Sequence, residues 1–552
     1  MRTVKNPIIP GFYPDPSICK ADDGYYLACS SFEMYPGIPI FFSTNLVDWE
    51  QIGYAMTKEN GFHVRANTMT GGVMAPTIRY HNGTFYIINA NFQDKGNFIV
   101  KTNDPRQGWS DPIWLDDIPG IDASLDIPGI DASLFFDDDD QAYIVGTGNV
   151  VPNGDQMEPG IYVCKYDIEK MKVISEAVPI WDSALRHAWS PEAPHMYKIG
   201  DYYYLMISEG GTEQNHAVTV ARSKDIFSWF DGNPANPVLT NRNLGYNDVK
   251  LTNIGHADLV QGEHDEWYAV FLGSRTVDGF YKNLGRETFI CPVEWQHGWP
   301  FFTPKTGHVE KEYQIPTDKF SLSTLHLTTN QVFDGTTLPL EFITWGTPYG
   351  HVYQNETDGL KLFCNKAMIT PKLYWALDHE QNSSRETGIS FVGRRQTSID
   401  FQAEAKFSFT PRLENESAGF VIMQASNHQY RVEKRLLDDE MVLRLILTTT
   451  TTNTYPHMPG FKAVSNDKVL YQTMVSDEEL VLGLKAIGQH YQFYVKDDAG
   501  IHELGDAQDG RLINPEEVGC MSGTIMGMFA TGNGQDTDNT AIFKQFEYLP
   551  LS

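Results

Sequence analysis

Short aromatic and β-branched runs, each opened by a turn residue, recur through the first 310 residues of the chain. Successive runs lie about 60 residues apart, and further short strand-like runs follow each of them. A fixed period of this length is typical of repeat architectures, and runs bounded by turn residues predict β-strands. Five such units predict a five-bladed β-propeller. The five runs are 24–27, 83–87, 140–144, 201–205 and 265–269.

A second regularity lies nine residues before each of these turns. The residues at those positions are Asp15, Met74, Asp131, Glu192 and His256, and a short run of small and apolar residues follows each one. In a propeller the first strand of each blade lines the central channel, so residues at its entrance converge on the axis. The sequence therefore predicts a site that gathers three carboxyl groups, an imidazole and a thioether.

A different alternation of polar and apolar positions replaces the blade pattern after about residue 315. It predicts a run of antiparallel strands that pack as a β-sandwich. We therefore expect an all-β fold: a five-bladed β-propeller catalytic domain over 1–315, a linker over 316–331 and an antiparallel β-sandwich domain over 332–552. The clearest strand patterns of the second domain are 397–409, 419–423, 441–447, 480–484 and 490–495.

Composition narrows the classes of function. A chain of 552 residues is too long for one hydrophobic core, which fits two domains. The net charge of −29 and the absence of a long Lys/Arg block argue against nucleic acid as a partner. No stretch reads as a secretory signal or a membrane span, so we expect a cytoplasmic protein without a membrane partner. Six scattered cysteines lack the spacing of a zinc site or a disulfide framework.

The three acids on the predicted axis carry the candidate chemistry. Carboxyl groups gathered in one partly dry pocket repel each other, so their pKa values separate into an acid and a base. This pair suits glycosidic cleavage, in which one carboxyl protonates the leaving oxygen and the other activates water. Alone, Asp15, Asp131 or Glu192 is more typical of a turn or an exposed loop. A non-catalytic carbohydrate-binding propeller is the alternative from another class, but it gives no reason to keep three acids in one register.

The strings NPIIPGFYPDPSI, GIDASLFFDDD, SPEAPHMYK, GHADLV and LGRETF resemble the motifs of glycoside hydrolase family 43, especially its β-xylosidases and α-L-arabinofuranosidases. The resemblance covers essentially the whole chain. It implies an exo-acting, inverting enzyme that releases terminal β-D-xylose from xylan fragments, with α-L-arabinofuranosidase activity as a second or main activity. It also implies a general base at Asp15, a general acid at Glu192, an acid at Asp131 that orients Glu192 and raises its pKa, and a ligand of sugar hydroxyls at Arg286.

The same resemblance predicts how the pocket is closed. In these relatives a loop of the sandwich covers one side of the propeller site, and here that loop is 518–523. A closed end favours exo action over an endo-acting arabinanase. The best-known relatives carry a Trp at the position of Met74 and a Phe at that of Met521, whereas Phe32 remains an aromatic candidate for the wall. Two methionines make a more adaptable wall, which leaves open whether the substrates are xylo-oligosaccharides or arabinose-containing oligosaccharides.

His256 has two interpretations. On the axis its ring either hydrogen-bonds to the substrate site or ligates a divalent cation such as calcium, which is seen there in some relatives. No cage of oxygen ligands is visible in the sequence, so we predict that no cofactor is required. The oligomeric state is left open, with a homo-oligomer as one alternative.

A tandem nonapeptide departs from the family pattern. Residues 117–125 are repeated at once as 126–134, so either Asp122 or Asp131 can claim the motif. Only Asp131 lies nine residues before a turn and leads directly into Phe135 and Phe136. We therefore assign the site to Asp131 and expect the extra copy to bulge in the loop that enters blade 3.

Overall fold

The structure is a computed structural model of the 552-residue chain. Its described residues are 1–64, 71–91, 95–121, 130–154, 156–184, 188–244, 250–321, 324–370, 388–452, 463–476, 478–497, 500–518 and 521–551. Their regular secondary structure is almost entirely β-strand, and none of their helices has the length and hydropathy of a membrane span. The helical turns are Lys58–Asn60, Gly510–Leu512 and Pro515–Val518.

Five antiparallel sheets form the predicted propeller, and each follows chain order from the axis outward. The aromatic runs that recur in the sequence form the second strand of every blade. Blade 1 consists of Ser17–Lys20, Tyr25–Ala28, Gly37–Ser43 and Glu50–Met56; blade 2 of Val73–His81, Thr84–Asn91, Gly96–Thr102 and Ile113–Trp114; blade 3 of Ile130–Phe136, Ala142–Asn153, Gln156–Asp167, Lys172–Val173 and Val178–Trp181; blade 4 of Glu192–Ile199, Tyr202–Glu209, Ala217–Ser223 and Asp231–Gly232; blade 5 of Leu251–Gln261, Trp267–Arg275, Glu287–Gln296 and Trp299–Phe302.

Apolar side chains of neighbouring blades pack face to face and close the ring. Between the first and the last blade, Ile18 and Leu27 pack with Val260 and Val270 in one buried cluster. The two ends of the propeller segment are joined as well, because Arg2–Lys5 pairs with Glu312–Ile315. Hydrophobic burial therefore holds the blades in the circle that places their first strands around one axis.

A buried charge network fills the channel on the axis. The Arg79 guanidinium of blade 2 donates to Asp258 of blade 5 at 2.8 and 3.2 Å, to Ser17 Oγ of blade 1 at 3.1 Å and to His195 Nδ1 of blade 4 at 3.0 Å. Asp258 also accepts from the Tyr197 hydroxyl at 2.6 Å. Burial opposes ionisation of Asp258, but the Arg79 cation and these donors hold its pKa well below the usual range.

Two sheets form the second domain, packed face to face over a large apolar core. Four of the five predicted strand patterns of this region lie within observed strands, and the fifth, 397–409, extends beyond the observed strand Phe401–Ser408 at both ends. Thr329–Val332 already pairs with the last strand, so the end of the predicted linker 316–331 lies in the sandwich. One sheet contains Thr329–Val332, Tyr353–Glu356, Gly359–Phe363, Phe401–Ser408, Glu479–Ile487, His490–Asp497, Gly500–Glu503, Gln508–Asp509 and Thr540–Pro550; the other contains Phe391–Arg395, Ser417–Ala425, His428–Leu437, Glu440–Thr452, Ala463–Met474 and Ile525–Thr531.

The sandwich is docked on blade 1 through a shared strand pair. Met34–Tyr35 of the propeller pairs with Thr344–Trp345. Trp345 is 2% exposed and packs in an apolar cluster with Met34 and Ile343. Backbone pairing together with aromatic burial fixes the position of the second domain beside the channel mouth.

The axial network yields a prediction about stability. Arg79→Met removes the cation that neutralises Asp258, a carboxyl group with no exposed surface. An unpaired buried charge of this kind costs about 3–5 kcal/mol, so we expect a clearly lower urea midpoint of unfolding, measured by tryptophan fluorescence. The control Arg106→Met removes a partly exposed cation 4.0 Å from Asp23 and 3.7 Å from Glu50, and we expect a loss of about 1 kcal/mol or less. Equal midpoints for the two variants would contradict the role given to Arg79.

Candidate active site

Residues in a left-handed backbone conformation lie just before or within the inner strands. Asp15, Asp131 and His256 have φ values of 54°, 51° and 50°. A positive φ is rare outside glycine and costs of order 1 kcal/mol or more, so such residues tend to mark functional sites. In blades 3 and 5 the pairing register shifts at this point, which bends the strand as a β-bulge does.

In blades 2 and 4 the predicted site residue lies one position before the left-handed residue. There the left-handed residue is Ala75, with φ 52°, or Ala193, with φ 53°, and each directly follows Met74 or Glu192. The count of nine residues therefore does not select equivalent backbone positions in all five blades. The physical reason is the turn between the first two strands, which has two residues in blades 2 and 4 and four or five in the others.

Asp15 is buried between the Arg286 guanidinium and the His256 imidazole. Its Oδ1 accepts a hydrogen bond from Arg286 Nη1 at 2.9 Å, and its Oδ2 accepts one from the Ser30 hydroxyl at 2.5 Å. His256 Nδ1 lies 3.8 Å from the same carboxylate. Burial alone favours the protonated form, but Arg286, then His256 and Ser30, outweigh it and lower the pKa of Asp15 below its ordinary value of 3.8. Asp15 is therefore ionised at neutral pH.

Asp131 and Glu192 show the opposite behaviour. Burial, reinforced by the negative charge of Asp15, raises the pKa of Glu192 to about 7. Burial and then the charge of Glu192 raise the pKa of Asp131 well above its ordinary value. The repulsion is mutual, so the two carboxyl groups titrate as a pair that retains a proton near neutral pH. The backbone N–H of Ala193 donates to Asp131 Oδ2 at 3.2 Å, which ties Asp131 to the residue beside Glu192.

Arg286 connects the propeller site to the sandwich. Its Nε donates to the backbone oxygen of Met521 at 3.3 Å, and its Nη1 also donates to the Thr212 hydroxyl at 2.8 Å. The guanidinium carbon lies 5.6 Å from the centre of the Phe32 ring, which stacks on Phe12 with centroids 5.3 Å apart. Phe32 thus packs beneath the Arg286 guanidinium, and Met521 contacts Arg286 through its backbone oxygen.

The loop predicted to close the pocket meets the propeller here. Gly285 and Gly523 approach so closely that a Cβ on Gly285 would lie 2.7 Å from the Cα of Gly523. The Thr524 N–H donates to the Asn283 carbonyl at 2.8 Å, and Lys282 forms an ion pair with Glu516. Residues 519–520 of the predicted loop 518–523, and Asp122 of the duplicated nonapeptide, lie outside the described residues.

The remaining candidates also lie at the channel mouth. Met74 and Met521 are both half-buried. Two residues of the site carried no recognisable signal in the sequence. Ser30 links Asp15 to the Ala75 N–H, to which its oxygen lies at 2.7 Å, and Thr212 buttresses Arg286 from a loop of blade 4.

The surroundings of His256 do not suit a divalent cation. Its ring lies 6.4 Å from that of His195, whose Nδ1 already accepts from Arg79. Burial and then the Arg286 charge help to lower the pKa of His256, although Asp15 opposes this. Among the described residues no group of three His, Cys, Asp or Glu side chains has a metal-holding arrangement. Two guanidinium groups flank the imidazoles instead, and they repel a cation.

Metal independence is accordingly a prediction of this charge distribution. Prolonged dialysis against EDTA should leave kcat/KM unchanged within about twofold, because the positive charge on the axis comes from Arg79 and Arg286. Assays with and without added calcium, with metal content checked by elemental analysis, provide the measurement. An activity that falls after chelation and returns with calcium would refute it.

The axial pocket thus holds one carboxyl group whose pKa is lowered and another whose pKa is raised, which are the two kinds of group that hydrolysis of a glycosidic bond requires. A family model described as glycosyl hydrolases family 43 matches residues 4–300, and one described as the beta xylosidase C-terminal Concanavalin A-like domain matches residues 330–549. The chain belongs to glycoside hydrolase family 43, which confirms the resemblance seen in its motifs.

Relatives match over the full length of the chain. A xylosidase/arabinosidase of Butyrivibrio fibrisolvens is 36% identical over 99% of both chains. A non-reducing end alpha-L-arabinofuranosidase of Bacteroides ovatus is 35% identical over 100% of this chain and 95% of that protein. Among solved structures, a xylan beta-1,4-xylosidase from Bacillus halodurans superposes with a TM-score of 0.84 at 26% identity, covering 99% of this chain and 100% of that chain.

Proposed function

We propose that the protein removes single pentose units from the non-reducing ends of oligosaccharides, with inversion at the anomeric carbon. One observation carries the proposal: Asp15 has a lowered pKa, whereas Glu192, in the same pocket, has a pKa raised to about 7. Opposed shifts of this kind separate a general base from a general acid. A non-catalytic binding propeller gains nothing from them.

In the proposed reaction, the Glu192 carboxyl group donates its proton to the glycosidic oxygen as the bond from that oxygen to the anomeric carbon breaks. Asp15 removes a proton from a water molecule, and the water oxygen forms the new bond on the opposite face of the sugar ring. This geometry needs carboxyl groups about 6.5–9.5 Å apart and inverts the configuration. Asp131 is a positioning residue that raises the pKa of Glu192 through mutual repulsion, while Arg286 binds sugar hydroxyl groups and keeps Asp15 ionised.

The proposed sugar specificity rests on the activities of two relatives and on the side chains proposed to line the pocket. Relatives at 35% and 36% identity are described as an arabinofuranosidase and as a xylosidase/arabinosidase. We propose that the enzyme releases β-D-xylose from xylo-oligosaccharides and also cleaves α-L-arabinofuranosides. The alternative is that α-L-arabinofuranosides are its main substrates. Met74 and Met521 support this dual use, because the flexible thioether side chain adapts to more than one ring shape. His256 and Phe32 complete the proposed sugar site.

The test is a panel of aryl pentosides and short xylan and arabinan oligomers, with the released sugar followed by proton NMR from the first seconds. We expect single xylose or arabinose units to appear before any larger product, and the first anomer to have the inverted configuration. Release of internal fragments would refute exo action. Retention of configuration would remove Asp15 from the role of base.

Variants of Glu192 and Asp15 should separate acid from base. A general acid matters most when the leaving alcohol is another sugar and least when it is an activated phenol. Glu192→Gln should therefore lose several orders of magnitude in kcat/KM on a pentose disaccharide but far less on a dinitrophenyl pentoside. Asp15→Asn should lose activity on both substrates to a similar extent, because the activation of water is lost in each case.

The pH profile gives an independent readout of the same assignment. A carboxyl group with its pKa raised to about 7 acts as an acid only while protonated, so kcat/KM of the wild type should fall as the pH rises through about 7. The lowered pKa of Asp15 places the acidic limb below the ordinary value of 3.8. The alkaline limb should disappear in Glu192→Gln, and its persistence would make Asp131 the next candidate for the acid.

A further inference from the structure

A cavity of about 550 Å³ lies beside Glu192, in the size range of small-molecule sites. The described residues that line it include Glu192 but neither Asp15 nor Arg286. One wall is the long hairpin of blade 3, formed by Ala142–Asn153 and Gln156–Asp167, and the other is the chain that leads into Glu192. The cavity therefore contacts the proposed acid from a side that the proposed base does not share.

Trp189 is the largest apolar side chain of this cavity, and it is 76% exposed. Its indole ring lies against Gly211, where an added Cβ would be 3.1 Å from Cδ1 of the ring. The Gly210 N–H donates to the Trp189 carbonyl at 2.7 Å, and Gly211 has a φ of 73°, which favours glycine. A turn of two glycines thus packs against the pyrrole side of the ring. The rest of the indole remains exposed at the cavity, where a ligand with an apolar face can stack on it.

The charge of the cavity limits what can bind there. Glu158 and Asp182 line it together with Glu192, and no Lys or Arg is found among its described lining residues. Asn149 and Ser183 add neutral polar groups. An anionic ligand would be repelled, whereas a neutral, hydroxylated ring with one apolar face matches both the polar groups and the indole.

We propose that this cavity is the subsite for the leaving group, and that it takes a neutral sugar whose apolar face stacks on Trp189. The proposal rests on the proposed function, because a general acid must lie between the sugar that is removed and the group that departs. A cavity that is lined by the proposed acid Glu192 but not by the proposed base Asp15 then lies on the side of the departing group. Trp189 becomes a specificity-determining residue for oligosaccharides. Glu158 and Asp182 form an acidic rim, which selects against a leaving sugar that carries a carboxylate.

Two substrates that share the same terminal pentose test the subsite. In a pentose disaccharide the leaving group is long enough to reach Trp189, whereas in the methyl pentoside it is a single carbon. Trp189→Ala should lower kcat/KM on the disaccharide by up to about 10-fold, the upper end of the effect of one aromatic contact, and leave the methyl pentoside within about twofold of the wild type. Trp189→Phe should retain most of the activity. The control Trp229→Ala, which removes an indole that is 45% exposed and does not line the cavity, should change neither value.

The acidic rim has a test of its own. A disaccharide whose leaving sugar is a uronic acid should be cleaved at least about 10-fold more slowly than its neutral counterpart, and Glu158→Gln/Asp182→Asn should narrow that difference. An equal loss on the disaccharide and the methyl pentoside in Trp189→Ala would overturn the subsite while leaving the glycosidase intact. Equal rates for the neutral and uronic substrates would overturn the charge selection. A wild-type protein that cleaves no pentoside would refute the proposed function itself.

Discussion

The ion pair between Asp15 and Arg286 is the interaction on which the rest of the site depends. A buried carboxylate is costly unless it is paired and hydrogen-bonded, and the 2.9 Å contact with Arg286 provides that compensation. Asp131 and Glu192 have no comparable ion pair among the described residues, and burial raises the pKa of each, reinforced by the charge of Glu192 for Asp131 and by that of Asp15 for Glu192. Arg286, supported by His256 and Ser30, therefore keeps Asp15 ionised while the pKa values of the other two carboxyl groups are raised, and this difference separates base from acid.

The same guanidinium gives the second domain a part in the chemistry. Arg286 donates to the backbone oxygen of Met521, which belongs to the sandwich. The approach of Gly285 to Gly523 leaves no room for a Cβ, so the two backbones are fixed at close range. The sandwich consequently restricts the position of Arg286, and through Arg286 that of Asp15. This coupling gives the β-domain a part in positioning the charged groups of the site.

The sequence predicted the fold and the residues on the axis because both follow from short-range patterns. Strand periodicity identified the second strand of each blade, and the motifs identified Asp15, Asp131 and Glu192. The count of nine residues failed by one position in blades 2 and 4, since turn length is set locally and is not part of the repeat. Ser30 and Thr212 were missed for another reason. Ser30 lies 15 residues from its partner Asp15, and Thr212 lies 74 residues from its partner Arg286. A lone hydroxyl residue has no distinctive sequence pattern. Contacts between distant segments exist only once the ring has closed.

Ring closure also explains how strained residues are tolerated at the centre. Asp15, Asp131 and His256 adopt a left-handed conformation that an isolated strand would avoid. The compensation comes from below the site, where Arg79 joins Asp258, Ser17 and His195 of three other blades in one buried network. Because each of these partners is anchored in the packed sheet of its own blade, the network fixes the inner strands just past their strained entrances. The apolar packing between blades thus provides the stability, and the axial network sets the positions of the inner strands.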